Sequence, residues 1–280
     1  MSRIGDLPRR VTVVLWLGVT SFWAGQISLY LLADLALSDS ILLATLLVVM
    51  PALAVAQAPL TEYMELERLP AYWSSIATLG LLGTISWLVG TRVGGLAAIG
   101  VAPLAPSPFI AWTLGLLAAS LTIIIVFRQI AVVLRLREGP LLRELLPRTG
   151  DERRVFAVLS VVAGVAEEVA YRGYAIPVLL PVLGPVGALL LTSAVFGVLH
   201  AYQGALGILR TAVMGATLGG SFLLSGSLLP SVAAHVLIDL LAGLVLADKL
   251  LLPLVTEVAE GDPLSRMSKQ THGSRPRTDR

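Results

Sequence analysis

Between positions 167 and 239 the chain sets two glutamates, two arginines, two histidines and an aspartate into runs that are otherwise almost wholly apolar. An ionisable side chain at the centre of a membrane span costs on the order of 3 kcal/mol on insertion scales, so such residues face a protein interior and have partners. The first group lies in A-G-V-A-E-E-V-A-Y-R-G-Y, where Glu168 and Arg172 stand four apart on one helical face in the favourable acid-before-base order. They can neutralise each other, and a buried ion pair that merely holds helices together is the plain alternative to any chemical role for them. Glu167 points about 100° away from Glu168, in register with Tyr171, which leaves its carboxylate to face a cavity. A second carboxylate beside the first is tolerated only when protonated or engaged, the condition required of a general acid or base near neutral pH.

Two further runs add imidazoles. S-A-V-F-G-V-L-H puts Phe196 and His200 four apart, and S-V-A-A-H-V-L-I-D puts His235 and Asp239 four apart, each pair on one face. The remaining histidine, His272, lies in a polar tail and has no expected part in the chemistry. One intramembrane histidine is most often a packing residue. Two of them, with Glu167 and Asp239, on three different spans read as a convergent site. Arg210 reads as a residue that snorkels to the inner headgroups, with a contact to a substrate carboxylate as the lesser reading.

The elements that must position these groups follow from composition. The chain has 280 residues, 56% hydrophobic and 14% charged, with a mean hydropathy of +0.86, and it belongs mostly in lipid. Runs of about 20 apolar residues bounded by charge, Pro or Gly predict an all-α, polytopic transmembrane helical bundle of about eight spans. They lie near Val11 to Leu35, Ile41 to Leu60, Tyr72 to Gly90, Pro108 to Phe127, Val155 to Leu180, Pro185 to His200, Leu206 to Leu224 and Leu228 to Leu252. The first is too long to be a cleaved signal peptide. Three regions result: 1–150 with four spans and a basic loop, 151–252 with four spans and the chemistry, and a disordered tail over 253–280.

Arg3, Arg9 and Arg10 precede the first span, Arg128, Arg135, Arg137, Arg143, Arg148, Arg153 and Arg154 fall between the fourth and fifth, and Arg266, Lys269, Arg275, Arg277 and Arg280 close the chain. Excess positive charge marks cytoplasmic segments, so both termini are expected in the cytoplasm. The loop with Glu62, Glu65, Glu67 and Arg68 adds little to that scheme. Ile130 to Leu146 suits a short amphipathic helix on the inner leaflet. The net charge of +2 gives no nucleic-acid footprint. With no cysteine in the chain, disulfides, thiolate metal sites and cysteine nucleophiles are excluded.

The ordered triple E-E-x-x-x-R (Glu167, Glu168, Arg172), F-x-x-x-H (Phe196, His200) and H-x-x-x-D (His235, Asp239) resembles the three motifs of the CPBP intramembrane proteases. These include CAAX prenyl endopeptidases of the Rce1 type and bacterial bacteriocin-immunity (Abi) proteins. The resemblance covers roughly Val155 to Leu250, and the third motif often has Asn where Asp239 stands. It implies an integral protein of a bacterial cytoplasmic membrane that hydrolyses a peptide bond in a membrane-bound protein or peptide. In the implied mechanism Glu167, assisted by His200, activates water, His235 and Asp239 stabilise the oxyanion or position the water, and Glu168 tethers Arg172. No cofactor is required; a zinc ion on His200 and His235 is the minor reading, since H-E-x-x-H is lacking. A non-catalytic immunity or scaffold protein of the same fold is one alternative. A proton-coupled transporter is another, although the first half lacks the matching buried charge of a repeated architecture.

Overall fold

The computed structural model describes residues 7–32, 34–57, 67–136 and 140–246. All secondary structure among them is helical: α1 (Leu7–Leu32), α2 (Leu37–Gln57), α3 (Arg68–Thr91), the short α4 (Gly95–Ala98), α5 (Pro106–Val133), the short α6 (Pro140–Glu144), α7 (Gly150–Leu199), α8 (Ala205–Ser225) and α9 (Leu229–Leu244). Five of them, α2, α3, α5, α7 and α8, are long and apolar enough to cross a membrane, and α9 is apolar but has 16 residues. The protein is thus an all-α, polytopic integral membrane protein, with a helix at each of the eight expected spans. The last of these ends at Leu244, short of the expected Leu252; residues 247–252 lie outside the described residues, as do Glu62, Glu65 and the tail with His272.

The fifth and sixth spans are the two arms of α7. At Gly184 the backbone takes φ 66° and ψ 175°, flanked by Pro181 and Pro185. In an unbroken helix Tyr171 and Phe196 would lie about 37 Å apart along the axis. Their ring centroids are 5.8 Å apart, so the chain doubles back at Gly184 and lays one arm against the other. A capping box starts the first arm, with the Thr149 hydroxyl accepting from the Glu152 amide at 3.2 Å and the Glu152 carboxylate accepting from the Thr149 amide at 3.0 Å.

The expectation of one amphipathic helix over Ile130 to Leu146 is corrected. Helix α5 runs on to Val133 and ends where Arg135 enters the left-handed region at φ 52°. The Leu136 amide then donates to the Ala131 carbonyl and that of Arg135 to Val132, the paired bonds of a Schellman stop. Helix α6 is a separate turn.

Missing side chains let the helices close on each other. A Cβ at Gly83 of α3 would stand 2.7 Å from that of Ala166, one at Gly164 would meet Val236 of α9 at 2.6 Å, and one at Gly197 would meet the Ile208 carbonyl oxygen of α8 at 2.5 Å. Lipid gives helices no hydrophobic reason to associate, so contact of this closeness is what van der Waals packing requires. At one end of the bundle Arg68 donates to the Leu146 carbonyl and pairs with Glu144, Tyr72 donates to Leu145, and Arg153 donates to Leu244. This end carries the basic loop. At the other end Arg92 pairs with the buried Asp39, to which Tyr174 also donates at 3.0 Å, and the Leu228 amide donates to the Gly100 carbonyl.

Candidate active site

The first arm of α7 leaves α-helical geometry at the motif itself: Glu168 to Ala175 form a π-helical segment, and all eight residues are buried. A π bulge inside a helix is a common mark of a functional site. Within it the Arg172 guanidinium donates to Glu168 Oε1 at 2.8 Å, with both side chains shut off from the surface. Two more contacts hold Arg172: its second terminal nitrogen reaches the Gly215 carbonyl at 3.3 Å, and its central carbon lies 4.2 Å from the centre of the Phe196 ring. Gly215 makes the first possible, because a Cβ there would stand 3.2 Å from the guanidinium. The second is a cation over an aromatic face, favourable where water is excluded.

Glu168 Oε1 accepts a second bond, at 2.9 Å, from Nδ1 of His235 on α9. The tether is therefore a buried triad of Arg172, Glu168 and His235. Since a carboxylate paired with arginine only accepts, Nδ1 carries the proton and the ring turns its Nε2 edge outward. That edge stands 3.7 Å from Glu167 Oε2 and 3.7 Å from Asp239 Oδ2. Helical spacing on α9 brings Asp239 to the same face.

His200 ends the second arm of α7. Its Nδ1 lies 2.8 Å from the Phe196 carbonyl oxygen, which can only accept, so Nδ1 is again the protonated nitrogen and Nε2 keeps a lone pair. The Phe196 ring is the shared wall, 4.9 Å from His200, 6.0 Å from His235 and 5.8 Å from Tyr171 by ring centroids. Glu167 makes no hydrogen bond among the described residues, and nothing there joins it directly to His200. Tyr171, expected in register with Glu167, is turned into the core, where its hydroxyl donates to the Leu46 carbonyl.

Exposure divides the set along the same line. Glu168, Arg172 and Phe196 are buried and His235 nearly so, whereas the side chains of Glu167 and Asp239 are 14% and 37% exposed and His200 is half-buried. His235 lies nine residues from the end of α9, about 13 Å of helix. The motif residues thus form one cluster within the bundle, in which the Glu167 carboxylate, 3.7 Å from His235 Nε2, and Nε2 of His200 make no hydrogen bond among the described residues. Among the described residues no three His, Asp or Glu side chains converge as metal ligands.

Spacing alone did not mark Tyr202 and Gln203. They occupy a single turn of 3₁₀ helix, Ala201–Gln203, between α7 and α8, and the Tyr202 ring lies 5.9 Å from that of His200.

No curated protein and no solved structure matches the chain. A protein-family model does, and it spans the three motifs and all seven of their side chains. Residues 151–241 are similar to the Rce1-like family, described as type II CAAX prenyl endopeptidase Rce1-like.

Proposed function

We propose that the protein is an intramembrane endopeptidase that hydrolyses a peptide bond in a membrane-associated protein, prenylated CAAX proteins being the first class to test. Water held between the Glu167 carboxylate and Nε2 of His200 loses a proton to this pair as its oxygen attacks the scissile carbonyl carbon. The tetrahedral oxyanion meets the Nε2 edge of His235, protonated as a donor, beside Asp239. Collapse breaks the C–N bond, and the proton taken from water passes to the leaving amine. Arg172 and Glu168 do not touch the substrate; they fix the His235 ring through Nδ1.

The observation that carries this reading is the division of labour between two neighbouring glutamates. Glu168 is spent on two charge-assisted bonds at 2.8 and 2.9 Å, while Glu167 has a carboxylate with no hydrogen bond among the described residues and a face open to the surface. A packing ion pair accounts for the first and leaves the second unexplained. The excess of arginine at one end favours a cytoplasmic position for that end, with both termini on the same side. The proposed steps use no metal.

Comparative terminal proteomics of membranes from cells with wild-type protein or Glu167→Gln tests the reading. Termini that depend on Glu167 and on His200 are expected to disappear in Glu167→Gln and His200→Ala. An identical set of termini in wild type and both variants, with all three inserted and folded, would sink it.

A further inference from the structure

We propose that Tyr202 is a further catalytic residue, a hydrogen-bond donor to the reacting carbonyl group, with its proton aimed there by Gln203 and Arg210. The proposal rests on the hydrolytic reading above and deepens it.

Arg210 sets the first direction. A guanidinium has only donors, and Nη2 of Arg210 lies 2.8 Å from one end of the Gln203 amide, so that end is the oxygen Oε1. The Thr211 hydroxyl stands 3.5 Å from the same atom and adds a second, weaker donor. With Oε1 thus fixed, the other end of the amide is Nε2, and it lies 3.2 Å from the Tyr202 hydroxyl oxygen. Nε2 has hydrogens and no lone pair to offer. The Tyr202 oxygen is therefore the acceptor of that bond, and its own proton must turn the other way.

A phenolic proton lies in the ring plane and has two positions. One faces the Gln203 amide hydrogens and is disfavoured. The other is on the side away from Gln203, on a ring that already stands beside His200 at an angle of 37°. The turn that carries Tyr202 packs against α6 and the end of α2, where the basic loop lies. The site's carboxylates are near: burial first, and then Glu167 and Asp239, push the Tyr202 phenol up to about 12, against the opposing effect of the Gln203 hydrogen bond. At neutral pH the phenol therefore stays protonated: its oxygen accepts from Gln203 and its O–H is kept to donate. An oxyanion forming beside His200 would be met by His235 on one side and by Tyr202 on the other. The proton of Tyr202 is not transferred in this step.

Two substitutions separate this role from packing. Tyr202→Phe keeps the ring against His200 and removes the proton. Gln203→Glu keeps Tyr202 and gives Arg210 a charged partner, yet a carboxylate only accepts, so the Tyr202 proton turns to it and away from the site. Turnover of a quenched peptide ending in a prenylated cysteine tripeptide is measured in proteoliposomes for wild type, both variants and the double variant. The expected result is a fall in kcat of about 10- to 100-fold in each single variant with KM within about twofold, and no further fall in the double variant. Wild-type turnover that both single variants retain would overturn the role of Tyr202 and leave the hydrolytic reading standing. So would losses that multiply in the double variant. If wild type and Glu167→Gln are equally inert on this peptide and yield the same cellular termini, the hydrolytic reading fails and this inference with it. Should Tyr202→Phe not fold, Gln203→Glu carries the test alone.

Discussion

Replacing Arg172 with methionine removes the guanidinium that is fixed inside the site against Glu168. The burden then falls on Glu168. This side chain is fully buried and its Oε1 would keep only the His235 Nδ1 bond, while Oε2 already has no partner among the described residues. Removing one partner of a buried ion pair strands the other, at a cost of about 3–5 kcal/mol. The cation over the Phe196 ring is lost as well, so the upper part of that range is expected. At 1.4 kcal/mol for each factor of ten, the folded-to-unfolded ratio should fall by about two to three and a half decades. Glu168→Gln should cost a similar amount for the converse reason, because the guanidinium would be left with a neutral amide and the Gly215 carbonyl. The double variant, with neither charge, should be less destabilised than the sum of the singles by about 2 kcal/mol or more. Unfolding in mixed micelles by graded SDS, followed by circular dichroism, reads all three. Hydrolysis cannot stand in for it, since each variant also alters the Arg172–Glu168–His235 triad that fixes the His235 ring. A cost under about 1 kcal/mol for Arg172→Met, or strict additivity in the double variant, would refute the claim that Arg172 and Glu168 act as a buried compensating pair.

The packing and the donor set lead to further expected outcomes. Gly197→Ala should destabilise by about 1–3 kcal/mol, because its Cβ would stand 2.5 Å from the Ile208 carbonyl oxygen and 2.8 Å from the Ala212 Cβ. Gly220→Ala in α8, with nothing within 4 Å, should be neutral or gain up to about 1 kcal/mol; equal effects at the two sites in the same unfolding assay would contradict the close-contact account. Asp239→Asn should keep peptide hydrolysis at or above the wild-type rate, since an amide can donate to the oxyanion where a carboxylate repels it. A fall of more than about tenfold would show that the charge itself is needed. Exhaustive chelation should leave hydrolysis intact, and loss that zinc restores would assign the metal a role.

Much of the site is legible along the chain because helices turn spacing into position. The pairs Glu168 with Arg172 and His235 with Asp239 follow from four-residue offsets on one face. The break between Leu180 and Pro185 is marked by Pro181, Gly184 and Pro185, residues that cannot continue a helix smoothly, and the chain reverses there. Partners across helices are not legible in this way. Glu168 meets His235, 67 positions away, because glycines at 164 and 197 let α7 close on α9 and α8, and the spacing of the motifs contains nothing about that distance. The π-helical segment adds a second limit. Regular α-helical geometry sets Tyr171 in register with Glu167, whereas the widened turn is accompanied by Tyr171 buried against Leu46 and Glu167 at the open side.

Tyr202 and Gln203 illustrate a third limit, and it bears on where the working groups come from. They lie in a single turn of 3₁₀ helix, where neither the 3.6-residue period nor burial cost singles out a residue. Their standing depends on a chain of donors and acceptors that begins on α8 at Arg210 and has only one consistent direction. Direction of this kind is a property of which atoms lack hydrogens, and it is decided by contacts between residues seven and eight positions apart across a turn. A buried pair such as Glu168 with Arg172 announces itself by its cost in lipid. A neutral amide and a phenol at the mouth of the bundle carry no such cost, so they escape any search for misplaced charge. The motif residues supply the charges of the site; the uncharged turn beside His200 supplies a donor whose aim survives only while Gln203 remains an amide.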